Sequence, residues 1–176
     1  MSTPGEADPV KLICSIFSAG EDLIETAMGS LEEIFGSVDW KSARLFFDRT
    51  RYYEKEMGWP LFRRFITFTD LIRPESIVEV KLGTNELEKA FVREGKRSVN
   101  IDPGYICMER LVLATGKNYT HRLYLSSGIY ADLTLVFQKG CFRPLPWTYR
   151  DYSDERLIEQ FNEIRERYKT QLRRKG

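Results

Sequence analysis

"VKLICSIFSAGEDLIETAMGSLEEIFG", Val10 to Gly36, decides the fold. Val10 to Phe17 is a short, β-branched apolar run of the kind that forms a buried strand. Ser18 and Glu21 then stand at capping-box spacing, and Leu23, Ile24, Ala27, Met28, Leu31, Ile34 and Phe35 recur at helical intervals until Gly36. A strand feeding a helix is half of a split βαβ unit, and the next segments supply the rest. Ser42 to Asp48 reads as a second strand. Leu61 to Asp70 reads as a third, with Phe62, Arg64, Ile66 and Phe68 alternating against Arg63, Phe65 and Thr67. Pro74 suits the first turn of a helix running to about Glu94, and Arg97 to Ile101 is a fourth strand. The order βαββαβ predicts an α+β, ferredoxin-like core. Its antiparallel sheet carries two helices on one face, with the Leu61 strand central and antiparallel to the Ser42 strand.

The rest extends that core. Asp102 suits an N-cap, Pro103 the first helical position and Gly116 the end, so 103–115 reads as an added helix in preference to a strand. "YTHRLYLSSGIYADLTL", Tyr119 to Leu135, is a β-hairpin. With Ser-Ser-Gly as a three-residue loop, Leu125 faces Ile129, Leu123 faces Ala131 and His121 faces Leu133 on an apolar side. Tyr124 then meets Tyr130, and Arg122 meets Asp132, on the other. Pro144 and Pro146 impose irregular backbone, after which Leu157, Phe161, Ile164, Tyr168 and Leu172 line one face of a C-terminal helix. Residues 1–9 read as a disordered N-terminus and 10–176 as a single domain.

Composition excludes several classes. With 27 basic and 26 acidic side chains there is no global field to steer the chain toward nucleic acid or membrane. No apolar run approaches the roughly 20 residues that span a bilayer, and "MSTPGEADPV" lacks a signal-peptide pattern, which predicts a cytoplasmic protein. Cys14, Cys107 and Cys141 sit among apolar neighbours without CxxC spacing and read as buried thiols. There is no GxxxxGK[ST], no GxGxxG after a strand and no GxSxG, and a single histidine rules out HExxH. The basic "RERYKTQLRRKG" complements the dipole of the last helix, so nucleic acid is a disfavoured partner.

Two segments are candidates for a ligand site. In the hairpin, His121 reads as a structural residue, and Arg122 and Asp132 as a cross-strand ion pair worth under about 1 kcal/mol if exposed. Flanked by Tyr124 and Tyr130, Arg122 could also present its fork to a carboxylate or phosphate. "DRTRYYEKEMGW", Asp48 to Trp59, is longer than an antiparallel connection requires and is rich in functional groups, among them Tyr52, Tyr53, Glu54 and Glu56. In this topology the first and third strands run parallel, so the loop shares an end of the sheet with the exit of the fourth strand and its "NIDPGY", bringing Asp102 and Tyr105 near. Asp48, Glu54, Glu56 and Asp102 could then converge to hold magnesium or act as acid and base.

"TRYYEKEMG", "NIDPGY", "LVLATGKNYTHRLYL", "GIYADLTL" and "FRPLPWTYRDY" together resemble the bacterial family known as domain of unknown function 4416, over about Lys11 to Tyr152. The resemblance implies a bacterial cytoplasmic origin and supplies no catalytic residue. Members are sometimes labelled GTP-binding, yet neither a P-loop nor NKxD is present here. Two functions remain open. One is a site for an anionic small molecule such as a nucleotide or phosphorylated metabolite, with or without magnesium. The other is a protein or RNA interaction module built on Trp147, Tyr149, Tyr152 and the last helix.

Overall fold

The structure is a computed structural model that describes residues 1–48 and 51–175; Arg49 and Thr50 of the long loop lie outside them. β1 (Val10–Ser18) is buried along its whole length. The reason is that both faces of its sheet are covered, which is why its sequence reads as a continuous apolar run instead of alternating. Leu12, Cys14 and Ile16 pack under α1 (Glu21–Phe35) and α3 (Ile77–Ala90), and Ile13 packs on the opposite face beneath α4 (Glu155–Lys175).

The other strands are β2 (Val38–Lys41), β3 (Leu45–Phe46), β4 (Phe62–Ile72), β7 (Val99–Ile106), β8 (Arg110–Thr115), β9 (Arg122–Ser126), β10 (Ile129–Gln138) and β11 (Cys141–Pro144). Together with β1 they form one nine-stranded antiparallel sheet in the order β11-β10-β8-β7-β1-β4-β2, with β3 beside β4 and β9 beside β10. β5 (Val92–Arg93) and β6 (Lys96–Arg97) form a separate small hairpin, and α2 (Glu54–Met57) is one turn in the long loop. The fold is therefore α+β around a large antiparallel sheet.

Several local expectations change. The capping box is not made. Gly20 is the N-cap without a side-chain bond, Ser18 Oγ donates to Ser98 O at 2.6 Å, and Glu21 pairs with Arg64. The expected second strand is split into β2 and β3. The second long helix ends at Ala90, because Glu94 and Gly95, both at positive φ, turn the chain into the β5–β6 hairpin. β1 and β4 run antiparallel, with Ser18 opposite both Phe62 and Val99. The loop before β4 thus meets the start of β7 and not its exit.

The largest correction concerns 103–115, which is strand and not helix. β7 runs through Asp102 and Pro103 to Ile106, and β8 returns antiparallel from Arg110. Pro103 is tolerated mid-strand because backbone groups alternate direction along a strand. Ile101 turns its N–H and C=O away from β1, as described below, so Pro103 two residues on also faces away and deprives β1 of no donor. The hairpin differs by one residue at its tip. Ser126 faces Ile129 across a Ser127–Gly128 turn with both φ positive, and a bulge then restores Tyr124 opposite Tyr130 and Arg122 opposite Asp132.

Candidate functional site

β7 and β8 pair only where Gly104 to Ile106 meet Leu111 to Leu113. Before Gly104 the two strands part, leaving Ile101 with no strand on one side among the described residues. Side chains of α3 take that place: Lys81 Nζ donates to Ile101 O at 3.1 Å, and Ile101 N–H donates to Glu88 Oε1 at 2.6 Å. A helix that must satisfy a strand edge needs polar groups on its buried face, and Ile77, Lys81, Thr84 and Glu88 form that face, one above another at helical spacing. The break opens a cavity of about 640 Å³.

Strands supply its floor, with Phe17, Arg63, Asn100, Asp102, Leu113 and Asp132 among the lining residues. Arg63 is buried with Asp151 as its ion-pair partner, and its guanidinium lies 4.1 Å from the Phe47 ring centre and 5.2 Å from that of Phe17. On the α2 side, Arg97 bonds Glu56 at 3.2 and 3.1 Å, Glu88 at 3.0 Å and Asn100 Oδ1 at 2.8 Å. Asn100 Nδ2 in turn donates to Asp102 Oδ2 at 2.9 Å. Tyr53 lines the same side, and burial together with the charge of Asp102 pushes its hydroxyl up to about 12, so it stays a donor at neutral pH.

Burial also pushes the Glu88 carboxyl above its ordinary 4.5, outweighing the Ile101 N–H and the nearby Lys81 and Arg97. Arg97 holds its own proton more firmly: burial opposes its charge, but the bonds to Glu56 and Glu88 prevail. The two shifts point opposite ways for the pair, and burial decides for the carboxylate because the Glu88 side chain is 10% exposed against 27% for Arg97. A carboxyl that holds its proton more tightly when folded contributes stability below its unfolded pKa and loses it as pH rises through the raised folded value. Denaturation midpoints of the native chain should therefore carry a declining component from 4.5 upward. Glu88→Gln, which keeps an oxygen for Ile101, should lack it; equal pH profiles for the two proteins would refute the assignment.

The opposite wall is the hairpin. Arg122 donates through Nε to Asp132 at 2.8 Å, through Nη1 to Lys117 O at 3.0 Å and through Nη2 to Tyr149 Oη at 2.8 Å. Burial opposes its charge, but the bond to Asp132 and the field of Tyr149 raise its pKa further. Lys117 and Arg150 line the cavity beside it, and neither forms an ion pair among the described residues. This wall thus sets Arg122, Lys117 and Arg150 against Asp132, with the neighbouring Asp151 taken up by Arg63, while the α2–α3 side sets Glu56, Glu88 and Asp102 against Arg97 and Lys81. The cavity is electrically polar from one side to the other.

A family model described as domain of unknown function 4416, DUF4416, matches residues 8–168. The chain belongs to that family. No curated protein and no solved structure matches it.

In this DUF4416 chain the cavity collects Tyr52, Tyr53, Glu56, Asp102, Arg122 and Asp132 from the residues expected to form a site. The others lie elsewhere. Glu54 pairs with Arg51, Asp48 lines a smaller cavity of about 290 Å³, and Tyr105 packs near Val10 and Tyr168 at the far end of β7. Tyr124 and Tyr130 contact each other outside the cavity. His121 stacks on Trp147 and lies 3.3 Å from Asp132 Oδ2. The carboxylates of Asp48, Glu54, Glu56 and Asp102 do not converge, and among the described residues no group of three or more His, Cys, Asp or Glu is arranged to hold a metal ion. The hairpin faces are the reverse of those expected: Leu123 is 73% exposed, whereas the Arg122 and Asp132 side chains are only 8% and 6% exposed. Tyr152 is buried against Phe65 and Phe161 instead of offering an exposed ring. Cys14 and Cys107 are buried as expected, and Cys141 is half-buried at the start of β11.

Sequence reasoning missed Lys81, Glu88, Arg97, Arg63 and Asp151. A signal was present in α3, where Lys81, Thr84 and Glu88 continue the stripe begun by Ile77, which interrupts an apolar face with residues that are rarely buried unless paired. Among the described residues, no helix is long and apolar enough to cross a membrane.

Proposed function

We propose that this DUF4416 protein binds an anionic small molecule, a nucleotide or phosphorylated metabolite, in the cleft between β7 and β8. The observation that carries the reading is the hairpin wall, where Lys117 and Arg150 flank Arg122, Asp132 is paired with Arg122, and Asp151 beside Arg150 is taken up by Arg63. An anion reaching that wall meets two cations with no ion pair to break, in a cavity of the size that encloses small ligands. Glu56 and Arg122 line the same concavity, which favours the small-molecule reading over an interaction module; burial of Tyr152 points the same way. Neither a membrane nor nucleic acid is part of the proposal.

Under this reading the four strands in the order β7-β1-β4-β2, with α1 and α3 on one face, are a ferredoxin-like core. The strands from β8 onward and α4 elaborate it and supply the second wall. Three unpaired cysteines support a cytoplasmic setting, and the bacterial origin is part of the same proposal.

A thermal-shift screen of nucleotides and phosphorylated metabolites, each with and without magnesium, tests the function. A ligand at a hundred times its Kd stabilises the fold by about 2.7 kcal/mol. Lys117 and Arg150 are exposed, so the double substitution to Ala should leave the unliganded midpoint within about 0.5 kcal/mol of native. It should abolish the ligand shift. A shift of native size in that variant, or none from any ligand with the native chain, would reject the reading.

A further inference from the structure

We infer that the Asp102 side of the cavity recognises hydroxyl groups, so that the ligand is a polyhydroxylated phosphate of the sugar-phosphate class. The inference rests on the anion-binding reading above and adds what the other half of the ligand must be. Asp102 is held by a chain of bonds. Glu56 and Glu88 fix Arg97, Arg97 fixes Asn100, and Asn100 Nδ2 occupies Asp102 Oδ2. The other oxygen, Oδ1, is 3.9 Å from Lys81 Nζ, too far for a hydrogen bond, and the side chain remains 38% exposed. An oriented acceptor and an ammonium donor therefore face the cavity side by side without completing a bond to each other. Two adjacent hydroxyls complete both, one donating to Asp102 and the other accepting from Lys81.

A second observation points to the same place. Among the described residues, the buried hydroxyls of Ser15 and Tyr152 have no partner but each other, and the buried Nε of Arg63 has none. Ser15 lies directly across from Asp102 in the β1–β7 ladder, and Tyr152 and Arg63 line the cavity. Buried polar groups are nearly always satisfied; one hydroxyl of the Ser15–Tyr152 pair donates to the other, which leaves the second proton without an acceptor, and a hydroxyl-bearing ligand would complete that spare capacity. A second anionic group would be repelled there by Asp102, and an apolar one would leave Asp102 Oδ1 without a hydrogen-bond donor. The phosphate accordingly lies at the Lys117 and Arg150 wall and the hydroxylated carbon chain at Asp102.

Calorimetric titration of the full chain with ribose 5-phosphate and with n-pentyl phosphate tests this, because the second keeps the phosphate and carbon count but has no hydroxyl. The native chain should bind ribose 5-phosphate at least about tenfold more tightly, the loss expected when oriented polar groups are left without partners. In Asp102→Asn and in Tyr152→Phe the ratio should fall to about threefold or less. Tyr152→Phe removes a hydroxyl whose one partner in the unliganded fold is the Ser15 hydroxyl, so the test survives if Asp102→Asn folds poorly. Equal binding of the two compounds, or a tenfold preference that persists in both variants, overturns the inference and leaves anion binding standing. No binding of either compound overturns both.

Discussion

Gly104→Ala is expected to destabilise the fold by about 3 kcal/mol or more, at the upper end of what overpacking costs. A Cβ built at Gly104 falls 2.4 Å from Val112 O, 2.8 Å from Leu113 Cδ2 and 3.2 Å from Leu113 Cα. Two of those three atoms are backbone of the neighbouring strand, so no rotamer change relieves the contact. Gly104 is also where the β7–β8 ladder begins, opposite Leu113. A shift of β8 away from β7 would break the pairing that closes one end of the cavity. For a chain of this length the loss corresponds to a fall in Tm of about 6–12 °C or more, readable by calorimetry or denaturant midpoint. A change below about 1 kcal/mol would mean that β8 gives way easily and that the close approach is not fixed by the sheet.

Asp132→Ala should cost about 3–5 kcal/mol, because removing one partner of a buried pair strands the other charge. Asp132 accepts from Arg122 Nε, lies 3.3 Å from His121 Nε2 and has Thr134 Oγ1 at 3.4 Å, all with little solvent. Without the carboxylate, the Arg122 guanidinium keeps only the Lys117 carbonyl and the Tyr149 hydroxyl. Arg122→Met in the Asp132→Ala background should recover part of the loss, since the stranded charge is gone. If Asp132→Ala costs under about 1 kcal/mol, the pair behaves as an exposed one and the hairpin faces are as the sequence alone suggests.

That contrast shows where sequence reasoning succeeds. The Arg122–Asp132 register followed from alternation and a short turn, both local properties, and it holds even though the turn is one residue shorter and a bulge makes up the difference. Which face of the hairpin is buried is not local. It depends on what lies above the ribbon, and the segment carrying Trp147 and Tyr149 covers the Arg122 surroundings and binds Leu133 O through the indole. Leu123 is left in water as a result.

By itself the sequence determined the strand–helix–strand order from Val10 to Ile101, the C-terminal helix and the absence of a P-loop. Each of these rests on periodicity or composition that a single segment carries. Only the tertiary structure decided that 103–115 is strand, since its caps suit a helix and the competing pull comes from Leu111 to Leu113 seeking partners across Gly104. Only it placed Lys81, Glu88 and Arg97 at the site. Those residues sit there because β7 loses its neighbour beyond Gly104 and its exposed backbone must be satisfied from another element, a demand created by strand pairing and invisible in any one stretch of chain.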